Sequence, residues 1–212
     1  MEGRRYIAVE GVLGSGKSLF ARALAESMKG RFVADAASSN PFLDNYYKNP
    51  RDFAFATQIF YLLNRFRQQQ ELMQVELFSG ATVTDFLFER DRIFAYLSLS
   101  DSELAMYEQL YKVLTREPLP QPDLVVYLQL SADPLAGRLE KRGLLKEKGG
   151  MSREVLEQVV KAYTSFFHNY SDSALLIVNM GDLDLEQSSD VSDLVERVKQ
   201  TYAGTHYYTP KK

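Results

Sequence analysis

The sequence predicts an α/β protein in three layers, α/β/α, with a five-stranded parallel sheet between two layers of helices. Three observations predict this class. Short apolar runs alternate with stretches of helical spacing along the chain, as parallel strands joined by crossover helices require. The run Leu124–Leu130 is nearly continuous in apolar residues, the pattern of a strand covered on both faces. The first run, Tyr6–Val9, passes through a glycine-rich turn directly into a helical pattern.

The elements follow in order. After Tyr6–Val9, Leu19–Met28 has helical spacing, with Ala21, Ala23, Leu24 and Ala25 as compact helix formers. Phe32–Ala34 reads as a second strand, and Asn40-Pro41 opens a polar-aromatic segment closed by Asn49-Pro50. Arg51–Phe78 contains no Gly or Pro, and Phe55, Ile59, Leu62, Leu63, Phe66 and Leu72 fall near a 3.6-residue period, so this is a long helix. Gly80 ends it, and Ala81–Asp85 is a third strand. Helices are predicted over Arg92–Leu97 and Asp101–Thr115. Pro118, Pro120 and Pro122 then break the pattern before the fourth strand, Leu124–Leu130. Ser131-Ala132-Asp133-Pro134 opens a helix with proline in its first turn. Gly143 and Gly149-Gly150 frame a basic loop, Ser152 caps a helix to Asn169, Ala174–Val178 is a fifth strand, and Val191–Tyr202 is a last helix. The organisation predicted is one domain over residues 1–205 and a short tail over 206–212.

Composition removes several function classes. The chain has 212 residues, 45% of them apolar or aromatic and 25% charged, an ordinary globular balance. It has no cysteine, which excludes a thiolate nucleophile, a disulfide scaffold and a Cys-ligated zinc site. His168 and His206 lie far apart in sequence, which makes a histidine-rich metal site a poor reading. A net charge of −3 opposes a nucleic-acid binder held by a broad basic field. The opening residues do not resemble a signal peptide, and no stretch approaches a membrane span, so a cytoplasmic protein with no membrane or nucleic-acid partner is expected.

The turn Gly11-Val12-Leu13-Gly14-Ser15-Gly16-Lys17-Ser18 matches G-x-x-x-x-G-K-[ST] in full, between a strand and a helix. Glycines let successive backbone N–H groups curl around one concavity, and the helix N-terminus adds partial positive charge. Lys17 would reach the terminal phosphates of ATP, and the Ser18 hydroxyl would hold Mg²⁺. The motif is a P-loop. It does not name the acceptor, although the chain lacks the Asn/Thr-Lys-x-Asp segment of guanine-nucleotide switches.

Four further patches narrow the acceptor. Asn40-Pro41-Phe42-Leu43-Asp44-Asn45-Tyr46-Tyr47 follows the second strand, with Asp35 five residues before Asn40. Gln58 and Arg65 are seven residues apart on the long helix, hence on one face. Asp85 ends the third strand, with Asp91-Arg92 six residues on. Arg138-Leu139-Glu140-Lys141-Arg142-Gly143 places two arginines at i, i+4. Each patch also has a plain structural reading: a strand-end cap for Asp35, a water-facing helix side for Gln58 and Arg65, and solvated charge for the Glu89–Arg92 run and for Arg138 and Arg142.

From Tyr6 to about Tyr202 these patches together resemble the deoxynucleoside kinase family, particularly its bacterial members. The resemblance implies transfer of the ATP γ-phosphoryl, with Mg²⁺, to the 5′-hydroxyl of a 2′-deoxynucleoside in salvage. Purines are favoured and deoxyadenosine is the first guess. Asp35 would be the general base, with Lys17, Arg138 and Arg142 spreading charge in the transition state. Gly11 to Ser18 would bind ATP together with Arg138 and Arg142, and Asp182 and Leu183 would line its adenine. Ser18 and Asp85 would hold Mg²⁺. Tyr47 and Glu157 would contact the 3′-hydroxyl, Gln58 and Arg65 the base, and Phe94 would wall it. Asp91 would accept from an exocyclic amine, which suits adenine or cytosine.

A homodimer is implied by the resemblance alone. Three residues depart from the family pattern: Asp35 stands where glutamate is usual, Phe86 where many members have arginine, and Leu144 where a second lid arginine is frequent. A substitute for the arginine missing at Phe86 must come from elsewhere, with Arg90 the candidate. The rival readings are a thymidylate-type nucleoside monophosphate kinase and a catalytically weak nucleotide-binding subunit.

Overall fold

Strand β1 (Arg5–Glu10) is buried from Tyr6 onward, and its neighbours on both sides account for that. It pairs in parallel with β3 (Ala81–Thr84) through Arg5↔Ala81 to Ala8↔Thr84. On its other edge it pairs with β4 (Leu124–Gln129) through Ile7↔Leu124 to Glu10↔Tyr127. Beyond these lie β2 (Arg31–Val33) beside β3 and β5 (Ala174–Asn179) beside β4. The computed structural model describes residues 5–35, 40–75, 80–145, 152–201 and 203–210.

The sheet has six strands in the order β2-β3-β1-β4-β5-β6, where five were expected. The additional strand, β6 (Thr205–Tyr208), pairs in parallel with β5 and draws on the segment assigned to the tail. It escapes an apolar-run criterion because it is an edge strand with three exposed residues. Its signal is instead the β-compatible composition Thr-His-Tyr-Tyr.

Helix α1 (Lys17–Ser27) leaves the glycine-rich turn and packs on β1, β2 and β3 beside α8 (Ser188–Gln200). Helix α2 (Leu43–Lys48) occupies the stretch read as an irregular polar-aromatic segment. Asn40 explains its placement: Asn40 Oδ1 accepts the Phe42 N–H at 2.9 Å, and Asn40 Nδ2 donates to the Thr57 carbonyl at 3.1 Å. The long helix α3 (Pro50–Val75) has proline at its first position, where no N–H is needed. The part of its expected span that reaches Phe78 lies outside the described residues, as do Gly149 and Gly150.

A short 3-10 turn (Phe88–Arg90) leads from β3 into α4 (Asp91–Ser98). Helix α5 (Asp101–Leu114) starts with a capping box in which Glu103 accepts the Ser100 N–H at 2.9 Å. Helices α6 (Ala132–Lys141) and α7 (Arg153–His168) complete the layer, with Ser152 Oγ accepting from the Val155 N–H at 3.2 Å.

The main core fills the space between sheet and helices, where Tyr127 stacks on Phe167 with ring centroids 4.2 Å apart. A second cluster of Leu62, Phe88, Ala95 and Tyr107 binds α3, α4 and α5 together. Among the described residues no helix is long and apolar enough to cross a membrane.

Candidate active site

The carboxyl ends of β1, β2 and β3 deliver Glu10, Asp35 and Asp85 to one edge of the sheet, the usual place for a ligand crevice in an open α/β fold. The turn after β1 forms as its sequence requires. A Cβ at Gly11 would stand 2.5 Å from Ser15 Oγ and 2.9 Å from the Leu128 carbonyl, so only glycine fits. Gly16 caps α1 at φ 94°, in the left-handed region that glycine enters without strain. Arg138 Nη1 reaches the carbonyls of Gly14 and Ser15 at 3.3 and 3.4 Å, which brings α6 to the phosphate loop. Leu185 approaches the loop from the opposite side, 2.7 Å from where a Cβ at Gly16 would be.

Beside the loop lies a buried network of charges. Glu10 is 0% exposed. It accepts the Gly11 N–H at 3.0 Å on one oxygen and the Leu87 N–H at 2.9 Å on the other. Lys17 Nζ is 3.7 Å from Glu10 Oε2. Burial and the neighbouring Arg90 lower the Lys17 pKa against the pull of Glu10, Asp35 and Asp85. Arg90 Nε is 3.1 Å from Glu10 Oε1, in ion-pair range, though its N–H is not aimed for a hydrogen bond. Its Nη2 donates to Asp35 Oδ2, which also receives Arg65 Nη2 at 3.1 Å. The Asp35 N–H donates to Asp85 Oδ1 at 2.6 Å. Burial alone would raise the Asp35 pKa, but Arg65, Arg90 and Lys17 outweigh it and hold the carboxyl well below the usual range.

This geometry decides several of the plain readings. Asp35 is an ion-paired acid facing Arg65 and Arg90, not a strand-end cap. Arg90 is buried, so it does not belong to a solvated run, while its neighbour Glu89 accepts from Gln121 at 3.1 Å. Phe86, standing where an arginine is usual, is fully buried against Tyr6 and Leu72. Arg90, four residues on, carries the guanidinium to Asp35 instead.

Gln58 and Arg65 both turn inward from α3, at 4% exposure each. Gln58 Oε1 and Arg65 Nε have no hydrogen-bond partner, which is costly unless a ligand supplies one. Arg65 Nη1 donates to Asp91 Oδ1. The second Asp91 oxygen accepts the Tyr107 hydroxyl at 2.8 Å. Burial raises the Asp91 pKa against the opposing pull of Arg65 and Tyr107. Asp91, expected to accept from an exocyclic amine, thus already receives one donor on each of its oxygens. Tyr107 and Tyr61, whose ring lies under the Arg65 guanidinium at 5.1 Å, were not anticipated. An aromatic on an amphipathic helix reads as core, and its ionic partner is distant in sequence.

Other expected contacts are not assembled. Glu157 is exposed and pairs with Arg153 at 3.4 Å on its own helix, and among the described residues no hydrogen bond joins it to Tyr47. Tyr47 is partly exposed, its ring centroid 5.9 Å from that of Tyr46. Phe94 is half-buried and meets Tyr163 edge-on at 6.0 Å. Arg142 ends α6 exposed to solvent, away from the loop carbonyls that hold Arg138. Leu183 belongs to the core and Asp182 is exposed, while Leu185 of the same segment lies against Gly16. Leu144 is exposed.

A P-loop, ionised acids beside it and neighbouring buried side chains with an unpaired donor and an unpaired acceptor are the elements of a phosphotransferase with a nucleotide donor. Residues 7–202 match the sequence model of the family described as deoxynucleoside kinase. The chain is 32% identical over 159 residues to a deoxyguanosine kinase of Bacillus subtilis (strain 168), covering 74% of this chain and 76% of that one. It is 25% identical over 200 residues to a deoxyadenosine/deoxycytidine kinase of the same organism, covering 91% and 90%. The structure of a deoxyadenosine kinase from M. mycoides with products dCMP and a flexible dCDP bound superposes with a TM-score of 0.77 at 22% identity, over 92% of this chain and 98% of that one, and establishes the fold. The chain belongs to the deoxynucleoside kinase family and is an ATP-dependent enzyme of that class.

Proposed function

We propose that the protein transfers the γ-phosphoryl group of ATP-Mg²⁺ to the 5′-hydroxyl of a purine 2′-deoxynucleoside, with deoxyadenosine the first acceptor to assay. The observation that carries this is the position of Asp35, half-buried near Lys17 and flanked by Arg65 and Arg90. In a loose transition state the acceptor proton is lost late, so a weakly basic but permanently ionised carboxylate suffices to receive it. Binding of a deoxynucleoside would draw Asp35 Oδ2 from one arginine toward the hydroxyl, freeing that guanidinium for the transferring phosphoryl oxygens. The loop amides, Lys17 and Arg138 would neutralise the remaining charge. Arg142 would join only on a movement of α6 toward the nucleotide. Asp182 and Leu183 would offer the donor's adenine mainly their backbone, since the Leu183 side chain is committed to the core.

The donor set fits Mg²⁺. Ser18 presents an exposed hydroxyl in the first turn of α1, and Asp85 uses only one carboxylate oxygen on the Asp35 N–H. An ion that keeps most of its waters and its phosphate ligands needs no more protein donors. When bound, Mg²⁺ supplies charge neutralisation of the phosphates.

For the base, the unpaired Gln58 carbonyl accepts and Arg65 Nε donates, a pair that adenine satisfies with its 6-amino group and a ring nitrogen. Guanine satisfies the same pair with N1–H and O6. The deoxyguanosine and deoxyadenosine kinases among the relatives support the purine class. Phe94 would wall the base, while Tyr47, and Glu157 after a shift of α7, would meet the sugar. We also propose a cytoplasmic homodimer, in which Met106 and Val113 supply exposed apolar surface two turns apart on α5. Light scattering tests its mass.

The central test is ADP release with each deoxynucleoside and each deoxynucleoside monophosphate as acceptor. Turnover on purine deoxynucleosides supports the proposal. Turnover only on monophosphates, or ATP binding with no turnover, overturns it.

A further inference from the structure

Glu10, the last residue of β1, is a fully buried carboxylate that takes no part in the proposed transfer. Its place in the sheet gives it a different task. The parallel ladder between β1 and β3 ends at Ala8↔Thr84. Past that pair the two segments diverge, β1 into the phosphate loop and β3 into the turn before α4. The Glu10 side chain bridges them: Oε2 accepts the Gly11 N–H at 3.0 Å, and Oε1 accepts the Leu87 N–H at 2.9 Å. Gly11 is the first residue of the phosphate loop, and Leu87 immediately precedes the 3-10 turn that carries Arg90. Each oxygen also faces a cation of its own side, Lys17 Nζ at 3.7 Å from Oε2 and Arg90 Nε at 3.1 Å from Oε1. Arg90 in turn donates to Asp35. A line of contacts therefore runs Gly11–Glu10–Arg90–Asp35, from the phosphate cradle to the acid.

Burying a carboxylate is costly unless donors and counter-charges meet it, and here they come from two separate segments. Losing the contact on either side leaves the carboxylate unmet, so the two segments are held at one spacing. Transfer needs the acceptor oxygen and the γ-phosphorus at near-contact distance, and a displacement of about 1 Å can cost about a hundredfold in rate. We infer that Glu10 is a positioning residue for phosphoryl transfer: it sets the register of the phosphate loop against the turn that carries Arg90, and through Arg90 the place of Asp35 relative to the donor's γ-phosphate. The inference deepens the function proposed above and rests on it.

The test is Glu10→Asp, which keeps the charge but withdraws it by one methylene, so that the Gly11 and Leu87 N–H groups are met together only if a segment moves. Counted per folded molecule, kcat on deoxyadenosine should fall about a hundredfold, while the calorimetric Kd of ATP stays within about threefold. A carboxylate needed only for stability, or only as counter-charge to Lys17 and Arg90, is replaced by aspartate without loss of turnover. A kcat within about threefold of wild type therefore overturns the inference. A weakened ATP Kd with kcat kept also overturns it, because Glu10 would then serve the loop alone.

Should Glu10→Asp fail to fold, amide hydrogen exchange on the wild-type protein decides. Binding of a non-hydrolysable ATP analogue should slow exchange of the Leu87 amide together with that of Gly11. Slowing confined to Gly11 overturns the inference. Wild-type protein that turns over no deoxynucleoside contradicts the proposed function instead, and the exchange result still tests Glu10, so the two failures are distinguishable.

Discussion

The donor and acceptor halves of the site are built from different materials. The donor half is backbone: Gly11, Gly14 and Gly16 curl one loop, and the helix behind it supplies N–H groups in a single stretch of eight residues. The half proposed for the acceptor is side chain: Glu10, Asp35, Arg65, the adjacent Arg90 and Asp91, and Tyr107 arrive from five places in the chain and hold one another by charge and hydrogen bonds. A backbone site tolerates changes in neighbouring side chains but no added Cβ. A side-chain network can bring a guanidinium from another position, as Arg90 reaches Asp35 while Phe86 is packed in the core, but leaves a buried charge uncompensated when a member is lost.

Substitutions should separate the two halves. The largest effect is expected for Asp35→Asn, which keeps the shape and removes the base. Its kcat should fall about a thousandfold with ATP affinity nearly unchanged, as measured by single-turnover kinetics and calorimetric titration. A variant retaining full kcat would remove Asp35 from that role. Next, Arg90→Ala leaves Glu10 and Asp35 short of a counter-charge in a buried setting. It should cost about 3 kcal/mol in urea denaturation, and a loss no larger than that of a surface arginine would mean the network is dispensable. Gly11→Ala acts on the donor half alone. The forced shift of Ser15 or Leu128 should weaken ATP binding by about thirtyfold while the variant's binding of deoxynucleoside is preserved.

The same division governs how much the sequence discloses. Loop, helix start and flanking strands are contiguous, so Gly11 to Ser18 could be read directly, and the central strands announced themselves as apolar runs. Gln58 and Arg65 could be placed on one inward face of α3 because helical spacing is local arithmetic. The engagement of Asp91 by Tyr107 could not be read, because α4 and α5 meet only through the fold and a tyrosine at an apolar helix position reads as packing. Glu157 shows the converse: a matching position in sequence does not fix which way α7 faces, and here the side chain pairs with its i, i+4 neighbour Arg153. Strand β6 lacked an apolar run because one edge of it has no neighbour.

The smallest expected effect is on stability against pH, because two carboxylates on the same arginine pull in opposite directions. Asp35 has a folded pKa below its ordinary value of 3.8, since Arg65 and Arg90 overcome its burial. It therefore contributes stability that is complete above that ordinary value and is lost as pH falls through the depressed one. Asp91 has a folded pKa raised by burial. Relative to the unfolded chain it favours the protonated form, so its contribution is greatest below the ordinary aspartate value and declines as pH rises through the raised one. Wild-type stability should rise as pH falls through the Asp91 range above the ordinary aspartate value, and fall only below that value, where Asp35 titrates. Asp91→Asn should remove the rise and Asp35→Asn should flatten the fall, in urea midpoints measured from pH 7 down to about 2. Parallel limbs in all three proteins would mean that neither carboxylate is linked to folding, and the buried ion network would then owe its place to catalysis alone.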